Sequence, residues 1–156
     1  MAEQRQATLI IPGLGSIYAA FEEHWYFILR VATGALFIPH GMQKLFQWFS
    51  GRTVPEYVTL FSRMGSWSND PGWVYYIGSL ELFGGICVVL GLLTRVFAIQ
   101  LFGVMMVATF IANLPRGWWW TIGGSETPLV WGVMLLVIVI KGGGKWSLDN
   151  AIGKEF

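Results

Sequence analysis

The sequence has little charge and almost no cysteine. Among 156 residues only 12% are charged, and ten Lys and Arg against nine Asp and Glu leave a net charge of +1. A soluble domain carries about 25% charged residues. With 54% hydrophobic and 16% aromatic residues, a water-soluble globule of this composition would wear a coat of apolar surface. Disorder is excluded, because it needs low hydrophobicity and high charge. Nucleic acid is excluded as a partner, because no basic stripe exists to meet phosphates. The single cysteine, Cys87, rules out an internal disulfide, a CxxC pair and a cysteine-rich metal site, and reads as a small packing residue. The only histidines, His24 and His40, lie ~24 Å apart along one helix. They cannot bracket one haem, and they make a poor metal set. Glycine-rich stretches at 13–16 and 142–145 lack the strand–turn–helix context of a phosphate loop, which sets nucleotides aside.

What the chain has instead is apolar length. A bilayer core of about 30 Å takes roughly 20 apolar residues in a helix. Four segments come close: 25–46, 73–93, 96–114 and 127–140, the last extended by Ser125 and Glu126. Their continuous apolar runs suit helices, since barrel strands would alternate. The expected fold is an all-α integral membrane protein, a four-transmembrane-helix bundle at 25–141. An N-terminal interfacial segment (1–24) precedes it and a cytoplasmic tail (142–156) follows. Residues 7–20 resemble a signal peptide, but Pro12, Gly13, Gly15 and a single preceding basic residue, Arg5, favour a segment lying on the membrane. The middle of the long 47–72 connection, from Glu56 to Met64, reads as a short interfacial helix. Thr94 and Arg95 read as the turn of a tight hairpin. Trp118, Trp119 and Trp120 read as a headgroup anchor. Both termini fall on one side with five Lys and Arg (Arg5, Arg95, Lys141, Lys145, Lys154), against four opposite (Lys44, Arg52, Arg63, Arg116). The excess places both termini on the cytoplasmic side of the membrane.

Ionisable groups inside a span cost roughly 2.5–3.5 kcal/mol at its centre, so they face the bundle interior and find partners. They are Arg30, His40 and Lys44 on the first helix and Glu81 on the second. At 1.5 Å per residue, Glu81 lies ~12 Å below the outer rim, His40 ~9 Å, Lys44 ~3 Å and Arg30 ~24 Å. Lys44 leans inward and Arg30 toward the cytoplasmic headgroups. Glu81 is therefore expected to meet His40 or Lys44, which share a helix face, while Arg30 reads as a snorkelling anchor. Gly78, Gly84, Gly85 and Gly91 beside Glu81, and Gly34 with Gly41 on the first helix, would let these two helices approach closely. Gln43, Asn113, Arg116 and Glu126 are expected toward the same outer half. This polar cluster reads either as an ion pair holding the helices in register or as a pocket for a polar headgroup. A quinone suits such a pocket, because His or Lys can donate to a carbonyl oxygen and a carboxylate can exchange the proton.

Three motifs in order carry a family resemblance: Arg30, Gly34 and Phe37 leading to HGMQKLF at 40–46; ELFGG at 81–85 leading to GLLTR at 91–95; and Glu126 followed by GGGKWSLD at 142–149. Over about residues 28–150 the chain resembles the DoxX family of small four-helix membrane proteins. The resemblance implies four transmembrane helices and a polar membrane site at Arg30, His40, Lys44 and Glu81, with the Gly84-Gly85 face admitting a ring or a helix. No catalytic residue carries over. Some family members are membrane subunits of quinone-reducing oxidoreductases. The first expectation is therefore a quinone-interacting subunit that receives electrons from other membrane-complex subunits. The second is an accessory or assembly subunit without chemistry. The third is a small-solute or proton pathway. Membrane lipids are partners in all three.

Overall fold

The computed structural model describes residues 9–22 and 24–155. Residues 1–8 of the expected interfacial segment, Arg5 among them, lie outside the described residues, as do Glu23 and Phe156. All regular structure among the described residues is helical. A 3-10 turn at Pro12–Leu14 leads into α1 (Gly15–Glu22), which buries nothing against the rest of the protein. The long helices follow: α2 (Trp25–Phe46), α4 (Gly72–Leu90), α5 (Thr94–Arg116) and α6 (Glu126–Lys141). Two short helices, α3 (Val54–Phe61) and α7 (Leu148–Ala151), fill the long connection and the C-terminal segment.

One core joins the four long helices. Phe37 from α2, Leu80 and Val88 from α4, Ala98, Leu101 and Met105 from α5, and Leu135 and Ile138 from α6 are buried together. The outside is apolar as well: Phe83, Ile99, Phe110, Val130, Val133 and Ile140 are all exposed. By length and composition, α4 and α5 can each cross a membrane. Only 22% of the apolar stretch of α5 is buried within the protein, the reverse of a soluble protein's core helix. α2 is long enough but carries Arg30, His40 and Lys44, and α6 has 16 residues, ~24 Å of helix. Aromatic residues mark both ends of the bundle. Trp25 and Trp146 are exposed at one, and Phe46, Trp48, Trp73, Trp118 and Trp119 at the other. Trp25 and Phe46 are ~32 Å apart along α2, close to the thickness of a bilayer core.

Gly34, Gly41, Gly78 and Gly85 of the glycine stripe behave as expected, whereas Gly84 faces α5. A Cβ on Gly34 would lie 2.7 Å from the Gly85 carbonyl oxygen, and one on Gly41 would lie 2.4 Å from the Leu82 nitrogen. Backbone therefore touches backbone between α2 and α4. Gly41→Ala is expected to force the helices apart at a cost of about 1–3 kcal/mol, read as a lower thermal midpoint in mild detergent.

The hairpin turn differs from expectation. Thr94 and Arg95 open α5, and the turn is Gly91–Leu92–Leu93, with Gly91 at φ +70° and Leu93 at φ +48°. The reason is a distant cap. The buried Asp149 carboxylate accepts from the Leu93 amide (2.7 Å), the Thr94 amide (2.9 Å) and the Thr94 hydroxyl (2.6 Å). It satisfies the orphan donors of the first turn of α5.

In the long connection, α3 starts at a capping box. The Thr53 amide and hydroxyl donate to Glu56 at 2.7 and 2.8 Å, which holds the Glu56 carboxyl below the usual carboxylate range. Tyr57 and Phe61 then seat α3 on Val74 of α4.

Candidate functional site

Two helical irregularities shape the outer half of the bundle. α4 carries a π-helical turn at Leu80–Gly84 and α5 carries one at Ala108–Asn113. Such turns insert an extra residue and redirect the side chains around it, and they recur at functional sites. The first contains Glu81. The second is tied to α6, where the fully buried Ser125 hydroxyl donates to the Thr109 carbonyl at 2.8 Å. Between them lies a groove of ≈ 640 Å³ bounded by α2, α3, α4, α5 and α6. That volume is typical of a small-molecule site.

The buried ion pair of the groove sits at its α2–α4 wall. Lys44 Nζ donates to Glu81 Oε2 at 2.5 Å, with 12% and 6% of the two side chains exposed. The Lys44 ammonium also lies 5.7 Å from the centre of the Tyr57 ring. His40, one turn before Lys44, presents its ring to the groove and packs edge-on to Trp131, with ring centres 5.2 Å apart. Asn113 and Arg116 line the groove at the outer end of α5. Apolar walls come from Leu60 and Met64 near α3, Ile77 on α4, and Val104 and Val107 on α5.

Sequence reasoning left Glu81 to meet His40 or Lys44; Lys44 is the partner, and His40 lies on the same lining. It did not foresee the rest of the chamber. Gln100 is a polar residue in the middle of an apolar run, and that signal alone could have flagged it. Tyr57, Tyr76 and Trp131 carried no such mark. Gln43 bonds the Phe49 carbonyl at 3.2 Å, and Glu126 accepts from the Trp120 amide at 3.1 Å. Both therefore serve outer turns.

Three expected site residues lie elsewhere. Gly85 faces Gly34, Phe37 and Ile38 of α2, and Gly84 faces Phe97 and Leu101 of α5. Both are helix contacts, and neither lines the groove. Arg30 is at the opposite end, and it does not snorkel. It is 1% exposed, and it donates to the carbonyls of Val88 (2.7 Å), Val89 (2.9 Å) and Trp146. The physical cause is the C-terminal segment, which folds back over the α4–α5 turn. The Asp149 amide donates to Gly91 at 2.8 Å, and the Tyr26 hydroxyl donates to the Gly142 carbonyl. Arg30 therefore meets protein carbonyls where headgroups were expected.

Residues 25–114 match the DoxX family. The chain belongs to the DoxX family. The match spans Arg30, the 40–46 motif and Glu81, while the 142–149 motif lies beyond it. A Haemophilus influenzae protein is 33% identical over 87 residues, 56% of this chain and 57% of its own length. The chain thus spans little more than half of that relative. A Mycobacterium tuberculosis protein named as an uncharacterised membrane protein is 29% identical over 143 residues, 81% of this chain and 80% of its own. The Bacillus subtilis "Putative oxidoreductase CatD" is 36% identical over 95 residues, 55% of this chain and 63% of its own. No solved structure matches the chain. Membership in DoxX makes this a membrane protein in contact with lipid, and it fits the exposed apolar flanks of α4 and α5.

Proposed function

We propose that this chain is a four-span subunit of an oxidoreductase complex in the bacterial inner membrane. Both termini are cytoplasmic, and the groove receives a quinone headgroup. One observation carries the reading: a buried ammonium–carboxylate pair lines a largely apolar groove of ≈ 640 Å³. The relative named for oxidoreductase activity supports the reaction class. The aromatic residues at both ends of α2 support its reading as a span. The Lys and Arg excess on the side of the termini supports the orientation.

When bound, a quinone supplies a two-electron, two-proton acceptor. Lys44 is placed to donate a hydrogen bond to a ring carbonyl oxygen. Glu81 is placed to hold the proton that Lys44 shares, and His40 to fix the ring from the neighbouring turn. With one cysteine and two histidines, the chain lacks a ligand set for an iron–sulfur cluster or a haem. The two electrons therefore come from a redox partner subunit.

The test is lipid extraction and quinone titration of protein purified in mild detergent. Quinone is expected in the extract. Glu81→Gln and His40→Ala are each expected to weaken binding about tenfold, the worth of one lost hydrogen bond to a charged or polar group. An extract free of quinone, with titrations insensitive to both substitutions, would return the ion pair to a purely structural role.

A further inference from the structure

The groove has a side door, and its position says how an occupant arrives. The two helices of the hairpin are packed unequally. Near the turn, Leu80–Gly84 and Gly85–Leu90 of α4 lie against Thr94–Val107 of α5. Toward the outer end, Gly72–Ser79 packs on α2 and α3 instead, and the Ala108–Asn113 turn of α5 packs on α6 and Ser62–Met64. The outer halves thus diverge in a V. Tyr76, Gly103 and Val107 line the groove between the two helices and are exposed. One long hydrogen bond bridges the opening, from the Tyr76 hydroxyl to Gln100 Oε1 at 3.4 Å.

The opening is set in an apolar flank. It lies between the two helices that are each long and apolar enough to cross a membrane, and its neighbours Phe83, Ile99 and Phe110 are exposed apolar residues. Its depth follows from the hairpin register. Gly84 faces Leu101, so in an antiparallel pair Gly103 lies about level with Leu82, next to Glu81. The door and the ion pair therefore share one level, ~12 Å below the outer rim. At the door itself, a Cβ on Gly103 would meet nothing within 4 Å.

We infer that the groove is a lateral portal: it takes a membrane-dissolved amphiphile whose long hydrocarbon tail lies across Gly103 between α4 and α5. This rests on the quinone reading and narrows it to long-tailed quinones entering from the bilayer. Short, water-soluble quinones reach the same polar end through the outer mouth beside Arg116 and Asn113. Gly103 then sets tail selectivity, because it is the lining glycine on the α4–α5 side, and open space lies where its side chain would be.

Gly103→Phe tests this, since its Cβ enters open space and its ring adds bulk at the door, and Gly103→Ala is the small control. Binding of a decyl-tailed and of a tail-less benzoquinone is measured in lipid nanodiscs. Gly103→Phe is expected to weaken the decyl compound at least tenfold and the tail-less one less than twofold, with Gly103→Ala neutral for both. Equal losses for both compounds, or no loss for the decyl compound, would overturn the portal while leaving the quinone site standing. Failure of the unsubstituted protein to bind either compound would overturn both. A nitroxide on Gly103→Cys, in a Cys87→Ala background, adds a readout independent of quinone. Relaxation by dissolved oxygen supports a lipid-facing door, and relaxation by an aqueous nickel chelate overturns it.

Discussion

Lys44→Met is expected to destabilise the bundle by about 3–5 kcal/mol, the range for removing one partner of a buried ion pair. The pair joins α2 to the π-helical turn of α4, with Nζ and Oε2 2.5 Å apart and both side chains nearly closed to solvent. Methionine keeps the length of the lysine stem but leaves the Glu81 carboxylate among apolar neighbours without its cation. The cost lies in that stranded charge rather than in the lost attraction, because desolvation consumes much of what a buried pair gains. The double substitution Lys44→Met with Glu81→Leu is therefore expected to recover most of the loss. Unfolding in mixed micelles, followed by tryptophan fluorescence, measures both. Quinone binding separates stability from function, since the double variant should be stable yet bind no better than Lys44→Met. Equal destabilisation by the single and double substitutions would show that Lys44 acts through packing alone.

Arg30→Met is expected to cost on the order of 4 kcal/mol, through loss of hydrogen bonds worth about 1.5–3 kcal/mol each when the donor is charged. The guanidinium gathers the Val88 and Val89 carbonyls at the end of α4 and the Trp146 carbonyl of the C-terminal segment. Those carbonyls lie at a helix C-terminus, where orphan acceptors and the helix dipole both favour a cation. Without Arg30, residues 142–155 lose one of their ties to the hairpin turn. Trypsin should then cut at Lys145 faster in the variant than in the unsubstituted protein. Arg30→Lys is not expected to restore protection, because a single ammonium lacks the planar fork that reaches two segments together. Unchanged proteolysis of Arg30→Met would show that Asp149 and Tyr26 hold the segment by themselves.

The bundle was legible in the sequence because a bilayer imposes simple rules on composition. A charge content of 12% and four long apolar runs suffice to place helices, and their bounds agree closely with α2, α4, α5 and α6. The ion pair was legible for a related reason. Charges inside a span are scarce, so helix rise and lean confine each one to a few partners, and Glu81 met Lys44. Gly34 and Gly41 announced the close contact between α2 and α4, since only a missing side chain allows backbones to touch.

Other features needed long-range contacts that no local pattern encodes. Arg30 looked like an anchor until residues 142–149 closed over it, and Asp149 looked like part of a solvated tail until it capped α5 from 55 residues away. The π-helical turns leave no composition signature, yet one holds Glu81 and both contribute residues to the groove. The splay of α4 from α5 depends on which neighbours each outer half packs against. The sequence by itself determined that this is a helical membrane protein with few charges inside its helices, because burial in lipid penalises every misplaced polar group. Tertiary structure alone decided that Lys44 and Glu81 line a groove with a door at Gly103 while Arg30 does not, because a cavity is made by what several distant segments leave unfilled.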